Sequence, residues 1–265
     1  MASHENRFRR ALTEGKQTVS TRLWTTQTLF VEGLGSTGHY DYVEFVAEYA
    51  SYTLEELRNF CIAAELHDLG TMIKVDYQSR GFLAQKAIAS GFQCINFTDC
   101  RNAEEVKECI RLTMPETPEC KGQFGFPNNR YVGFQPWVNQ MYQAKRIKEI
   151  VRCFMVEKAS SVKEIEEICS VPGVDMVQFG PSDFSLSSGF NAVEHKEEVK
   201  EAEKKVIKTA LSHGIRPRCE IMSVEDAGYY RDLGVKDFSI GDQMKDLVEL
   251  WSSRGKGLSN LIGKE

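Results

Sequence analysis

Val171 to Gly189 reads VPGVDMVQFGPSDFSLSSG. Within it, the run from Val174 to Phe179 has only Asp175 and Gln178 as polar members. Such a run suits a strand buried on both faces, as in a parallel sheet. Pro172-Gly173 opens it with a turn, and Gly180-Pro181 closes it. Ser182, Asp183 and Ser185 follow directly, which places them in the loop after the strand. In sheets wrapped by helices, ligands bind in the loops at the C-terminal ends of the strands. A carboxylate there, among small and hydroxylated residues, is placed to meet a cation or an anionic substrate.

A partner lies upstream. Val151 to Val156 (VRCFMV) reads as another buried strand and ends on Glu157. Two successive strands would then each present a carboxylate at one rim. Carboxylate oxygens with positions left for water and substrate suit Mg²⁺ or Mn²⁺. The same two residues would also serve as a solvated Glu and an Asp capping the following turn.

The rest of the chain alternates in the same way. Asn6 to Glu14 is a short amphipathic helix, and strands are predicted at 18–24, 41–47, 71–75 and 93–97. Helices fall between them. One is capped by Thr53 with Glu56 three residues on, and another by Asn102 with Glu104 and Glu105 in its first turn. After the quoted stretch come a long charged helix over 192–213, a strand at 216–222, a helix capped by Ser223, a strand at 237–241 and a last helix over 244–252. A single helix over 161–168 separates the two carboxylate strands. Eight strands alternating with helices predict an α/β fold, a single-domain (β/α)₈ TIM barrel spanning residues 1–265.

The rhythm breaks once. Residues 114–137 contain Pro115, Pro118, Pro127 and Pro136 and carry Phe124, Phe126, Tyr131, Phe134 and Trp137. A long loop of this kind is usually functional or an interface, and its aromatic density points to burial against another chain. An aromatic loop packed on its own barrel is the other option.

Composition narrows the function. A length of 265 residues suits one barrel, which needs about 250. The net charge of −5 argues against general nucleic-acid binding. No run approaches the roughly 18 apolar residues of a membrane helix, and the first ten residues have no apolar segment of a secretory signal. The eight cysteines include no C-x-x-C pair, and several sit in apolar runs, as expected for reduced thiols in a cytoplasmic protein without a zinc site.

On these residues the chain resembles the HpcH/HpaI (2,4-dihydroxyhept-2-ene-1,7-dioate) class II pyruvate aldolase family. The likeness runs from Asn6-Arg7-Phe8 through Leu23-Trp24, Glu48, Gly91 and Pro115. It is strongest from Val156 to Gly189, which resembles the family's metal-binding Glu and its Gly-Pro-x-Asp-Leu-Ser motif. The resemblance implies a barrel that binds Mg²⁺ or Mn²⁺, with Co²⁺ as a further option. It also implies a homo-oligomer, a hexamer or trimer of dimers joined through C-terminal helices. The substrate would be a small pyruvate-like 2-oxo acid, cleaved or condensed through a metal-stabilised enolate. Glu157 and Asp183 would be the metal ligands, Ser182 would offer its backbone N–H to the substrate carboxylate, Gly180 and Pro181 would shape that contact, and Glu48 would be a further substrate-binding residue.

The departures are as informative. The family's second strand normally reads Asp-x-Glu-His, with His as general base and Asp as its orienter; here the stretch reads Val46-Ala47-Glu48-Tyr49. The family's Arg after the third strand appears as Lys74, which keeps the charge but loses the two-pronged geometry. Met155 stands where the family carries Gln. The metal half of the site is therefore retained and the acid/base half rewritten. Tyr49 could donate a proton or hydrogen bond, or merely fill space; Lys74, if desolvated enough to lower its pKa, could act as base. Three functions stay open: a metal-dependent carbon–carbon lyase or synthase; a related non-aldol enzyme on an oxo acid, such as a citrate-synthase-like condensation, a hydrolase or a decarboxylase; and an inactive metal- or ligand-binding barrel.

Overall fold

In the computed structural model, which describes residues 5–134, 137 and 139–264, Asn6 starts the first helix, α1 (Arg7–Thr13), by accepting from the Arg9 N–H. Then come β1 (Thr18–Leu23), α2 (Thr28–Ser36), β2 (Tyr42–Val46), α3 (Leu54–Leu66), β3 (Gly70–Val75), α4 (Arg80–Ser90), β4 (Cys94–Phe97) and α5 (Ala103–Thr113). Beyond the long loop follow α6 (Gln140–Lys148), β5 (Val151–Val156), α7 (Ala159–Lys163), α8 (Ile165–Cys169), β6 (Met176–Phe179), α9 (Pro181–Ser188) and α10 (Lys196–Ser212). The chain ends with β7 (Arg216–Ile221), α11 (Ala227–Asp232), β8 (Asp237–Ile240) and α12 (Gln243–Ile262). The strands pair in parallel in chain order and β8 closes on β1, as the eight-fold alternation predicts.

Strand residues alternate between two environments. Those facing outward, such as Phe45, Ile73, Ile95, Phe97, Phe154 and Val177, form the main core with the helices. Phe97 and Phe154 stack there with ring centroids 5.3 Å apart. Those facing inward divide by height. Tyr42, Met72, Cys94, Val151, Cys153 and Met176 make an apolar plug low in the barrel, closed by Phe8 of α1. Above it lie Glu44, Lys74, Asn96, Gln178 and Arg218, all buried and polar. A second charged pair, Arg216 with Asp237 at 2.7 Å, lies at the N-terminal ends of β7 and β8.

Several boundaries differ from the sequence expectations. The helix expected over 161–168 is two short helices broken at Glu164 (φ −92°, ψ 22°). β6 begins at Met176 rather than Val174, because Asp175 is used below the barrel, where it accepts from the Arg9 guanidinium at 2.7 and 2.6 Å and from the Arg152 N–H at 2.9 Å. Ser182 and Asp183 lie in the first turn of α9 and not in a loop. The long charged helix starts at Lys196, and the last helix runs ten residues beyond Ser252. In the long loop, Phe124 and Tyr131 are buried on the barrel while Phe126, Phe134 and Trp137 are exposed; Pro136 lies outside the described residues. Among the described residues no helix is long and apolar enough to cross a membrane.

Candidate active site

Glu157 leaves β5 at the C-terminal mouth and is 2% exposed. Its Oε1 accepts from the Asp99 N–H at 2.8 Å. Asp99 presents that donor from a left-handed backbone (φ 58°), a conformation Asp tolerates better than most residues. Burial pushes the Glu157 carboxyl up to about 7, against Lys74 and the Asp99 N–H, which favour the anion; Asp183 and Asp99 add repulsion. Gly180 makes room for it: a Cβ at that position would stand 2.7 Å from the Glu157 Cβ and 2.8 Å from Oε2.

Asp183 reaches the same place from the next strand. Gly180 is the N-cap of α9 and Pro181 its first residue, where the missing N–H costs nothing. Asp183 is therefore a first-turn acid on the favourable end of the helix dipole. The N–H groups of Ser182 and Asp183 are first-turn donors without intrahelical acceptors. Lys158, which sequence reasoning missed, holds the group together: its Nζ lies 2.9 Å from Asp183 Oδ1 and also pairs with Asp99.

The opposite wall comes from β1, β2 and β3. Lys74 Nζ is 2.7 Å from Glu48 Oε2 and donates to the Tyr49 hydroxyl at 3.3 Å. Tyr49 is half exposed and stacks on Trp24 with centroids 5.4 Å apart. Glu48 meets the site through Lys74. The expectation of a lowered Lys74 pKa is corrected here. Burial does oppose the ammonium, but the carboxylates of Glu157 and Glu48 outweigh it and raise the pKa, so Lys74 is held as a cation. Burial also raises the Tyr49 phenol, with Lys74 opposing. Neither group is a base near neutral pH.

The cavity between these walls measures about 420 Å³ and brings Tyr49, Lys74, Glu157, Gly180, Pro181, Ser182 and Asp183 together. Its floor is a network the sequence reading did not identify. Arg218, fully buried, donates to Glu44 at 2.7 Å, to the Tyr42 hydroxyl at 2.8 Å and to Gln178. Gln178 donates to Glu220 at 3.2 Å, and Glu220 pairs with Arg22 at 2.5 Å. Arg22 also pairs with Asp242 at 2.5 Å, and Asp242 accepts from the Trp24 indole at 2.8 Å. A signal for it was present: Arg216, Arg218 and Glu220 occur at every second position of one strand.

The donor set fits a divalent cation of the hard type. Glu157 is a buried carboxyl repelled by two neighbouring carboxylates, a repulsion that a cation would relieve. Among the described residues no group of three or more His, Cys, Asp or Glu side chains gathers as a complete metal cage. A pair of carboxylates is nonetheless what Mg²⁺ uses when most of its positions go to water and substrate.

A closed barrel with its charged groups gathered at the C-terminal mouth defines a (β/α)₈ enzyme. The chain belongs to the HpcH/HpaI aldolase/citrate lyase family, which matches residues 48–248, and so to a family of aldolase and lyase enzymes. It is 26% identical over 160 residues to a hydroxypyruvate/pyruvate aldolase of Paraburkholderia phytofirmans, covering 60% of this chain and 61% of that relative. The match thus spans about three fifths of the relative's length. It is 22% identical over 239 residues to a 4-hydroxy-2-oxo-heptane-1,7-dioate aldolase of Escherichia coli, covering 89% and 88%. Its fold matches that of the citrate synthase SbnG with a TM-score of 0.84 at 21% identity, covering 98% of this chain and 100% of that one.

Proposed function

We propose that the protein is a divalent-metal-dependent carbon–carbon lyase or synthase acting on a pyruvate-like 2-oxo acid. The observation that carries this is the buried Glu157 carboxyl set against Asp183 and beside the cationic Lys74. Glu157 and Asp183 would hold Mg²⁺ or Mn²⁺, which supplies a positive charge that polarises the oxo group and offsets the charge of an enolate. Lys74 would meet the substrate oxygen as a point charge, in place of a two-pronged guanidinium. The Ser182 and Asp183 N–H groups, at the positive end of α9, would bind the substrate carboxylate. Trp24 and Tyr49 would form an aromatic wall for the second reactant. The names of the two curated aldolases support an oxo-acid substrate.

A second reading, condensation of an oxo acid without ordinary aldol cleavage, is favoured by one observation: β2 ends at Val46 and is followed by Tyr49 in the turn, where an aldolase of this family has its Asp and His. We further infer a homo-oligomer, supported by the exposed apolar stripe of α12 and the exposed loop aromatics, and a cytoplasmic location, supported by cysteines that are all free.

The test is metal-dependent turnover of pyruvate, oxaloacetate and phosphoenolpyruvate with a panel of aldehydes, read by NMR. Glu157→Gln and Asp183→Asn should each abolish turnover and weaken Mn²⁺ binding in calorimetry. Unchanged Mn²⁺ affinity in the double variant rules the site out.

A further inference from the structure

The rim of β2 lacks a histidine, and its neighbours do not replace it. Lys74 is held as a cation between Glu48 and Glu157, and Tyr49 is a phenol that burial makes less acidic. Among the remaining carboxylates at the cavity, Glu203 is occupied by the Tyr230 hydroxyl at 3.0 and 3.1 Å. Glu220 differs from all of these. It is the fifth residue of β7, lines the same cavity as Glu157 and Asp183, and retains 24% side-chain exposure. Three strands lie between β7 and β3 on either side of the closed barrel, so Glu220 faces the cavity from the wall opposite Lys74.

Its placement is rigid. Oε2 accepts from Gln178, which Arg218 pins, and Oε1 pairs with Arg22, which Asp242 pins. A proton-transfer group needs this kind of fixed orientation on a strand, together with access to the reactant.

We propose, on the 2-oxo acid reading above, that Glu220 is the proton-transfer residue of this enzyme and works from β7 in place of a base on β2. In the cleavage direction its carboxylate takes the proton from the 4-hydroxyl of a 4-hydroxy-2-oxo acid. The O–H electron pair becomes the carbonyl of the departing aldehyde. The C3–C4 bond breaks, and its electron pair moves between C3 and C2, leaving negative charge on the C2 oxygen. The proton on Glu220 then passes to C3, giving pyruvate and restoring the carboxylate. Arg22 keeps the carboxylate oriented between the two transfers. Burial raises the Glu220 carboxyl toward working pH, opposed by Arg22 on β1, by Arg218 on its own strand and by Lys74 on β3, with Glu44 on β2 adding to the rise.

The test follows deuterium entry into the methyl group of pyruvate, using the full-length protein with Mg²⁺ present. Glu220→Gln should slow exchange by about 10²–10⁴-fold, the usual worth of a general base, while Mn²⁺ affinity stays within about twofold. The acidic limb of the rate–pH profile should disappear with it, and formate should restore exchange in Glu220→Ala. Exchange as fast in Glu220→Gln as in the native protein overturns the proposal and leaves the 2-oxo acid reading standing. A slow variant with an unchanged pH profile and no rescue by formate also overturns it, because Glu220 would then act only on structure. If the native protein exchanges no pyruvate with any divalent metal, both fall together. Should Glu220→Gln fail to fold by circular dichroism, Glu220→Asp carries the comparison: a loss of about tenfold or more at kept Mn²⁺ affinity supports the proposal, and an unchanged rate overturns it.

Discussion

Arg218 Nη2 lies 2.7 Å from Glu44 Oε2, joining β7 to β2 through the interior of the barrel, with both side chains closed to solvent. Burial alone would raise the Glu44 carboxyl. Arg218 and the Asn96 side chain outweigh it and lower the pKa below 4.5. A carboxyl lowered on folding stabilises the protein above its unfolded pKa, and that stability is lost as pH falls through the folded value. Glu44→Gln leaves Arg218 charged and buried without its partner, which should cost about 3–5 kcal/mol at neutral pH. It should also remove the Glu44 share of the acid loss below pH 4.5. Urea unfolding from neutral pH downward measures both, and a cost at neutral pH under about 1 kcal/mol contradicts the assignment.

Glu157 has the opposite sign. Its carboxyl rises from 4.5 to about 7, with burial as the main cause. The folded metal-free protein therefore holds this proton more tightly than the unfolded chain does. Stability falls as pH rises from 4.5 to about 7 and changes no further above that. At about 1.36 kcal/mol per pH unit the difference is about 3 kcal/mol. With a chelator present, Glu157→Gln should be more stable than the native protein at pH above about 8 by that order, and about equal at pH near 4. Thermal melts at the two pH values decide it; equal melting temperatures under alkaline conditions refute it.

Gly180 tests the same carboxyl by contact. Its φ of −114° is ordinary for any residue, so alanine there brings no backbone strain. The added Cβ would stand 2.7 Å from the Glu157 Cβ and 2.8 Å from Oε2, closer than packed atoms allow. Gly180→Ala should displace Glu157, abolish turnover and weaken Mn²⁺ binding by about tenfold or more, while circular dichroism stays native. Native Mn²⁺ affinity in this variant would show that Glu157 is not a ligand.

The barrel was legible because its strands are short apolar runs between turn and capping residues, as at Thr53 and Gly91. Thr53 and Glu56 form the expected capping box, and Gly91 closes α4 at φ 118°. The carboxylates at the ends of β5 and β6 could be read for the same reason. Boundaries were lost where tertiary contacts overrode local pattern. Asp175 left its strand to meet Arg9, and α12 continues through Gly255 and Gly257, two weak helix formers. The floor of the site was hidden because its pairs join residues far apart in sequence, Glu44 with Arg218 and Arg22 with Glu220. Period-two charge in β7 hinted at an inward polar face, but no local pattern names the partner. The direction of the Lys74 shift depended on Glu157, a residue on another strand.

α12 spans 20 residues and none of them is buried. Met244, Val248, Trp251, Leu258 and Ile262 are exposed along it, an apolar stripe at helical spacing. A second copy of the chain, presenting the same stripe, is the occupant that suits it. Light scattering should give a mass above that of a dimer, well over the 30.1 kDa of one chain. Trp251→Lys combined with Leu258→Lys should shift the protein toward the monomer. A native protein that is a stable monomer refutes the expectation.

Tyr49 and Val46 occupy the positions where a base and its orienting acid would sit. Tyr49 stacks on Trp24, and Val46 is buried beside Lys74 in the strand register. Replacing both, Tyr49→His with Val46→Asp, places an imidazole at the rim with a carboxylate to hold its tautomer. Pyruvate methyl exchange should then rise above the native rate, because the imidazole at the β2 rim adds a second base to the Glu220 carboxylate on β7. Tyr49→His alone should gain less, because the ring would lack its orienter and keep Lys74 as a cationic neighbour that disfavours the imidazolium. Val46→Asp alone should destabilise the fold, as it buries an unpaired carboxyl. Deuterium incorporation followed by NMR, with Mg²⁺ in every sample, compares the four proteins. A double variant that exchanges no faster than the native protein, while folded and still binding Mn²⁺, would show that the β2 rim does not face the reacting carbon.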